Sequence, residues 1–551
     1  MKFSLFIIFY SFYAFAQVSI STDSISFPQI LAGTSDSLFV YVKNDGLKSV
    51  NVKIQNIKSV FIVSNTILSI SAKDSSIIWI KYKPNQNVID KDLIFISSDD
   101  SSIGSVCSVS GSCKFGDNYD ATTFNLYDNQ LETALTQLVS GHTSLGYNLA
   151  RDKMFMEIDN QKVNGQGAAQ NTLECVYTGR LAIGYTSRAE AQVAPYNFNT
   201  EHTWPQSNFN EDEPMRSDLY HLYPTDITAN SMRANYPFGN VVSNITWQGG
   251  GSKLGLNNLG QIVFEPRDVH KGDVSRSMFY FITCYPVNYG GFFTQTQEGV
   301  FREWNKIDPV GSVEAARNDA IAALQLKRNP FIDHPEFVDR IYSFATNNDR
   351  PTFAEIKVLP SKINFDSTII NNSMTKEFYI ANSGNGQLSI DSIKSFNSNF
   401  PLSNIKLSIN PYSFEKISVS FKPDYPKEYS DSIKVYSNGI VSKILVKGFG
   451  KDNTVNVMKP LSNPLSFSLE PNYPNPFNPS TKISWQLPVA SQATLKVYDI
   501  LGKEIEILVS EHKQAGKYET DFNAEALPSG VYFYQLKAGE FLQTRKMILL
   551  K

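Results

Sequence analysis

Apolar and polar residues alternate in short runs from residue 18 to about 115, as in Leu38-Phe39-Val40-Tyr41-Val42 and Ile77-Ile78-Trp79-Ile80-Lys81-Tyr82, with Asn-Asp-Gly and Lys-Pro-Asn turn signals between them. Period-two alternation punctuated by turn residues predicts a β-sandwich. The same pattern returns after residue 352, where Ile363-Asn364-Phe365 answers Ile25-Ser26-Phe27, Asn382-Ser383-Gly384 answers Asn44-Asp45-Gly46, and Lys422-Pro423 answers Lys83-Pro84. The spacing, 382 minus 44 and 422 minus 83, stays at 338 to 339 residues, so a duplicated domain brackets an insertion. The insertion reads differently, with helical periodicity in Gln130 to Leu138 and Val313 to Leu326 and long polar loops between. After a Ser/Asn/Pro-containing linker, proline-dense Leu469 to Ile483 leads into strand-like runs such as Ala493 to Asp499 and Ser529 to Tyr534, a third small sandwich.

The expected organisation is therefore a sandwich at 17–116, a mixed α+β domain at 119–348, a second sandwich at 352–450, a linker at 451–466 and a C-terminal β-sandwich at 467–551. Residues 1–16 read as an export signal: Lys2 is the only charge, Phe3 to Phe15 are mostly apolar, and Ala14-Phe15-Ala16 fits a small-x-small cleavage site before Gln17. That run is shorter than the roughly 20 residues a membrane span needs, and no later one is long enough.

Composition narrows the function classes. A chain of 551 residues with 42% hydrophobic, 13% aromatic and 19% charged residues is folded and multidomain. A net charge of −3 supplies no global field for a polyanion, so nucleic-acid binding must rest on a local site. Export places the four cysteines in an oxidising compartment, where Cys107 with Cys113, and Cys175 with Cys284, are the plausible pairs.

Three of the six histidines, His202, His221 and His270, fall between residues 200 and 276. Phosphodiester hydrolysis needs a base for water, a hard cation against the phosphoryl oxygens, and a cationic side chain on the phosphate. A neutral imidazole at His202 suits the first. The carboxylate of Glu201 and the side-chain carbonyl of Asn230 are oxygen ligands of the kind Mg²⁺ takes. Arg233 follows Asn230 by three residues and shares its face if the stretch is helical, which makes it a phosphate partner. Against this, Glu-His pairs arise by chance, and from 201 to 340 only 12 Lys and Arg stand against 17 Asp and Glu. From the residues alone the reading stops at a metal-assisted hydrolase.

The segments Gly146 to Arg151, Val176-Tyr177-Thr178-Gly179, Glu201-His202-Thr203-Trp204-Pro205-Gln206-Ser207, Ser217-Asp218-Leu219 with His221-Leu222, Asn230 to Gly239 and Lys271 to Arg276 resemble, in order, the bacterial endonuclease I family. The resemblance implies a ββα-metal (His-Me finger) site: His202 as general base, Glu201 and Asn230 as Mg²⁺ ligands, and Arg233 or Arg276 facing phosphate; whether Mn²⁺ or Ca²⁺ replaces Mg²⁺ is left open by the sequence. It further implies cleavage to a 5′-phosphate and a 3′-hydroxyl. Asp218, His221 and His270 are expected to orient the acting groups. The pattern departs at Tyr220, where a histidine is expected, which puts a supporting hydrogen bond in doubt. The outer sandwiches resemble the immunoglobulin-like modules of large secreted bacterial proteins. Tyr-Pro-Asn-Pro-Phe-Asn-Pro from residue 473, Val-Tyr-Asp-Ile-Leu-Gly from 497 and Leu-Pro-Ser-Gly-Val-Tyr from 527 resemble a type IX secretion sorting domain.

The expectation is thus an exported, metal-dependent, non-specific endonuclease acting on DNA, with RNA also open as a substrate and the type IX machinery as an export partner. The competing expectation is a surface adhesion protein with an inactive nuclease-like domain. A third keeps the site but gives it a smaller phosphodiester.

Overall fold

The computed structural model describes residues 18–99, 101–402, 406–452 and 464–551. The expected export signal and most of the expected linker lie outside these residues. The chain divides into two compact units, residues 1–452 and 453–551.

The duplication is real in three dimensions. In the first sandwich, Asp36–Asn44 and Asp74–Tyr82 pair in one sheet, and Ser24–Leu31, Gly104–Lys114, Ile89–Ser98 and Val50–Gln55 build the other. Val40, Val42, Ile78 and Ile80 of the first sheet close on Ile54, Ile94, Ile96 and Val109 of the second, the packing that alternation demands. In the second copy Met374–Asn382 pairs with Ser413–Phe421, and Ile440–Lys451 pairs with Glu428–Ser437. In each copy the second strand is laid parallel to the last one, Ile25 opposite Val109 and Ile363 opposite Val446. The turn asparagines explain why their motif recurs. Asn44 donates to the Lys48 and Ile70 carbonyls while accepting from Gly46 N–H, and Asn382 donates to those of Gly386 and Ile409 while accepting from Gly384 N–H. A buried asparagine thus ties a tight turn to a neighbouring strand in both copies.

The two sandwiches pack on each other, Leu93, Phe95 and Val106 of the first against Leu359, Ala381, Tyr379 and Phe414 of the second. A Cβ at Gly104 would lie 2.7 Å from the Leu359 Cβ, so only glycine permits this approach. This contact brings the two ends of the inserted domain together.

The inserted domain has its own core around the helix Lys271–Cys284, whose Met278, Phe279, Phe281 and Ile282 meet Leu131, Leu135, Trp204, Phe301 and Phe331. Helices Asp128–Val139 and Ser312–Gln325 stand where periodicity placed them, each within two residues of expectation. Its end is clasped to its beginning by His334, which bonds Asp117 at 2.8 Å and Glu336 at 3.2 Å and stacks on Phe115 with ring centres 3.7 Å apart. Burial opposes protonation of this imidazole, yet the two carboxylates outweigh it and raise its pKa. A raised folded-state pKa gives stability that is full below about pH 6.5 and is lost as pH rises through the folded value. We expect wild-type protein to lose about 1 kcal/mol more stability than His334→Gln between pH 6 and 9. Denaturant melts of both proteins at the two pH values check this, and parallel curves would refute it.

The four cysteines are free and buried, a correction to both expected pairings. Cys107 and Cys113 lie on one strand, Gly104–Lys114, so extended backbone separates them by roughly 20 Å, beyond disulfide reach. Cys175 instead meets the Thr225 hydroxyl at 3.4 Å, and Cys284 faces the Val139 carbonyl.

The second unit is a sandwich in its own right, with sheets Ser468–Leu469, Ser480–Leu487, Gly516–Asn523 and Glu504–Lys513, Ser491–Tyr498, Gly530–Ala538, Phe541–Leu549. Ile483, Trp485, Leu495, Val497, Tyr534, Leu536 and Met547 fill it. Among the described residues no helix is long and apolar enough to cross a membrane.

Candidate active site

Strands Phe198–His202 and Leu222–Asp226 pair antiparallel, Glu201 opposite Tyr223 and His202 opposite Leu222, and run into the helix Ile227–Arg233. Asp226 starts that helix by accepting from Ala229 N–H at 2.8 Å, and Thr178 holds its other oxygen at 2.7 Å. This N-cap is legible in Thr225-Asp226-Ile227. Asn230 and Arg233 do share a helical face, and both reach the strand that carries Glu201 and His202.

Glu201 lies beneath this unit, 2% exposed. Its Oε1 accepts from the Tyr177 hydroxyl at 2.8 Å and stands 3.0 Å from Arg233 Nε. Burial raises the Glu201 carboxyl above its usual pKa, against the opposing pull of Arg233 and Tyr177. Asn230 donates its amide N–H to the Thr200 carbonyl at 3.1 Å, which leaves Oδ1 as its unbonded oxygen. A carboxylate oxygen and an amide oxygen are each of the donor type that a hard divalent cation takes.

His202 Nε2 lies 3.3 Å from the Arg216 carbonyl. A carbonyl only accepts, so Nε2 carries the proton and Nδ1 holds the lone pair. Burial, then His221 and the charges of Arg216 and Arg151, hold the imidazole well below its ordinary pKa, so it is neutral. His221 packs edge-on with ring centres 5.4 Å apart and is anchored at 2.7 Å to the Met215 carbonyl. His270 bonds Asp273 and packs on Tyr177, the residue that holds Glu201. His221 thus stands next to His202, and His270 next to the tyrosine that holds Glu201.

Asp218 lies deeper, accepting from Tyr280, Tyr285, Gln325 and the Tyr220 N–H. With His142 and Cys284 it forms a group of ligand-type atoms within 4.8 Å of one another. Its oxygens are already filled by the protein's own donors. Tyr220 turns away from the site to the Lys327 carbonyl at 2.7 Å, so His202 takes its orientation from the Arg216 carbonyl and the His221 ring.

The two arginines expected to face phosphate do not. Arg233 is 1% exposed, with Nη1 and Nη2 each 2.6 Å from a carbonyl, Ala234 and Thr203, and Nε beside Glu201. Arg276 is equally enclosed, bidentate to Glu314 and bonded to Asn305 and the Asp308 carbonyl. The reason is electrostatic: the buried carboxylates of Glu201 and Glu314 claim the guanidinium groups nearest to them. Two other arginines, Arg151 and Arg216, stand beside His202, with Arg188 near Arg151. Arg151 bonds the Thr200 hydroxyl at 3.1 Å, its guanidinium 4.8 Å from the Tyr147 ring; Arg216 lies over the same ring at 4.3 Å; Arg188 is tied to Asp152 at 2.6 Å. The Tyr147 ring is itself 5.6 Å from His202. Arg151 and Tyr147 sit in the quoted Gly146 to Arg151 segment, but only the fold brings them to the histidine.

The hairpin with its buried Glu-His pair, and the arginines at its edge, thus belong to one mixed helix-and-strand domain. The family model for endonuclease I matches residues 127–336, and that for a secretion system C-terminal sorting domain matches residues 472–550. The chain is 34% identical over 233 residues to an extracellular ribonuclease of Bacillus amyloliquefaciens, covering 38% of this chain and 73% of that protein. It is 30% identical over 230 residues to the extracellular ribonuclease of Bacillus subtilis, covering 39% and 74%. A periplasmic deoxyribonuclease of Aeromonas hydrophila is 26% identical over 188 residues, covering 32% and 75%. This chain belongs to the endonuclease I family and carries a sorting domain for type IX export.

Proposed function

We propose that this protein is a secreted, Mg²⁺-dependent, sugar-non-specific endonuclease that cleaves DNA and RNA to 5′-phosphate and 3′-hydroxyl ends. The observation that carries the reading is the hairpin–helix unit that sets neutral His202 beside buried Glu201 and turns Asn230 onto the same strand. Such an arrangement has the form of a ββα-metal site. Relatives named as ribonucleases and as a deoxyribonuclease support a sugar-blind substrate range.

His202 Nδ1 takes the proton from the attacking water, while the Arg216 carbonyl fixes the ring's tautomer and angle. Glu201 and Asn230 would hold Mg²⁺, which when bound neutralises charge on the phosphoryl and leaving oxygens. Arg151 and Arg216, partly open to solvent, hold the phosphate in place of Arg233 and Arg276. Phosphate contact at the reacting centre requires no base-reading helix, and it explains how a chain of net charge −3 takes a polyanion. The sandwiches at 17–116 and 352–450 are immunoglobulin-like spacers around a nuclease domain at 119–348, and 467–551 is read by the type IX machinery.

The test is digestion of plasmid DNA and of structured RNA by the purified protein with Mg²⁺, with Mn²⁺ or Ca²⁺, and with EDTA. Cleavage of both polymers with Mg²⁺ and none in EDTA is expected; a folded protein inert on both would favour the adhesion reading. Arg151→Ala and Arg216→Ala should each raise KM about tenfold, the loss of one charge-assisted phosphate contact. Unchanged KM in both would place the phosphate elsewhere.

A further inference from the structure

A cavity of about 600 Å³ opens behind the site, between the start of the helix Gln295–Ile307, the loop around Gly291 and the strand Ile262–Glu265. Phe238 and Phe292, 1% and 8% exposed, border it, and these rings also hold the Arg233 guanidinium, 4.6 and 5.7 Å from their centres. Arg233 in turn stands against Glu201. The cavity is thus one side chain removed from the carboxylate proposed to bind metal.

Its walls are polar in a particular way. Gln297 is 4% exposed; its Oε1 accepts from Thr294 N–H, while its Nε2 is buried with no partner. An unpaired buried amide donor costs about 1–3 kcal/mol, so it marks a place where something else accepts. Asn240, Gln261 and Glu303 stand around the same cavity, with Asn240 bonded to Glu303 and to Trp304. A nucleobase, a flat body with polar atoms along its edge, suits a cavity whose lining is both polar and apolar. Volumes of about 300–1,000 Å³ are those of small-ligand pockets, so a nucleoside fits.

We propose that this cavity is a nucleobase subsite, taking a base unstacked from the strand next to the scissile phosphate, with Gln297 Nε2 donating to its edge. The proposal rests on the nuclease reading above and deepens it: the chemistry at His202 is sugar-blind, while this pocket grips single-stranded or frayed segments and favours some cut positions over others.

Gly299 gives the test. It lines the cavity on a helix, and a Cβ there meets nothing within 4 Å, so Gly299→Trp blocks the space without straining the backbone. Gln297→Glu keeps the oxygen that caps the helix and removes the free donor. Wild type and both variants are assayed with Mg²⁺ on a single-stranded pentanucleotide and on bis(p-nitrophenyl) phosphate, which has no base. Gly299→Trp should raise KM for the pentanucleotide tenfold or more, and Gln297→Glu about tenfold, with kcat/KM for the baseless substrate within twofold of wild type. In EDTA, nucleoside 5′-monophosphates should broaden or shift NMR signals of wild type and not of Gly299→Trp. Wild-type KM for the pentanucleotide in both variants would overturn the subsite, as would equal losses on the two substrates. Wild-type protein inert on both substrates, despite binding the monophosphates, would instead overturn the nuclease reading.

Discussion

His202→Ala is expected to lower turnover on plasmid DNA about a thousandfold while the protein still folds and still responds to Mg²⁺. The magnitude is that of a general base, typically a factor of 10²–10⁴. The fold should survive because the imidazole makes a single hydrogen bond, to the Arg216 carbonyl, and the strand pairing at this position is backbone to backbone. The wild-type pH profile belongs to the same prediction. Because the folded protein holds this imidazole well below its ordinary pKa, the lone pair on Nδ1 persists below pH 6.5 and the acid limb of kcat lies on the acid side of that value. Retained activity in His202→Ala, or a limb centred at 6.5 in the wild type, would remove His202 from the role of base.

Glu201→Ala is expected to abolish Mg²⁺ dependence and, unlike His202→Ala, also to unfold more easily. The carboxylate is the counter-charge of Arg233, and both side chains are almost wholly buried, 3% and 1% exposed. Removing one partner leaves an uncompensated buried cation, at a cost of about 3–5 kcal/mol. At about 2–4 °C per kcal/mol for a domain of this size, the melting midpoint falls by roughly 10 °C. The double variant Glu201→Gln with Arg233→Met separates the two roles. Most of the lost stability should return, since an apolar side chain needs no counter-charge, while activity should not, because the cation has lost its carboxylate. A stable, metal-responsive Glu201→Ala protein in differential scanning calorimetry and Mg²⁺ titration would defeat both halves of the argument.

Much of this was legible along the chain because it depends on neighbours in sequence. Alternation predicts strands since period two decides which side chains are buried, and the recurrence at 338 to 339 residues exposed the duplication because Asn44 and Asn382 each serve a local turn. The adjacency of Glu201 and His202 and the helical spacing of Asn230 were equally readable, for strand and helix periodicities are local properties. What only the tertiary structure decided is how charges are partnered. Arg233 and Arg276 looked available and are enclosed by Glu201 and Glu314, whereas Arg151 and Arg216, 50 and 14 residues from position 201 or 202, are the ones beside the histidine. The cysteines read as pairs from their compartment and number, yet Cys107 and Cys113 are held apart by one extended strand. Burial, the Tyr177 contact to Glu201 and the cavity behind Arg233 arise from segments far apart in sequence, and a free energy set by desolvation exists only once those segments have met.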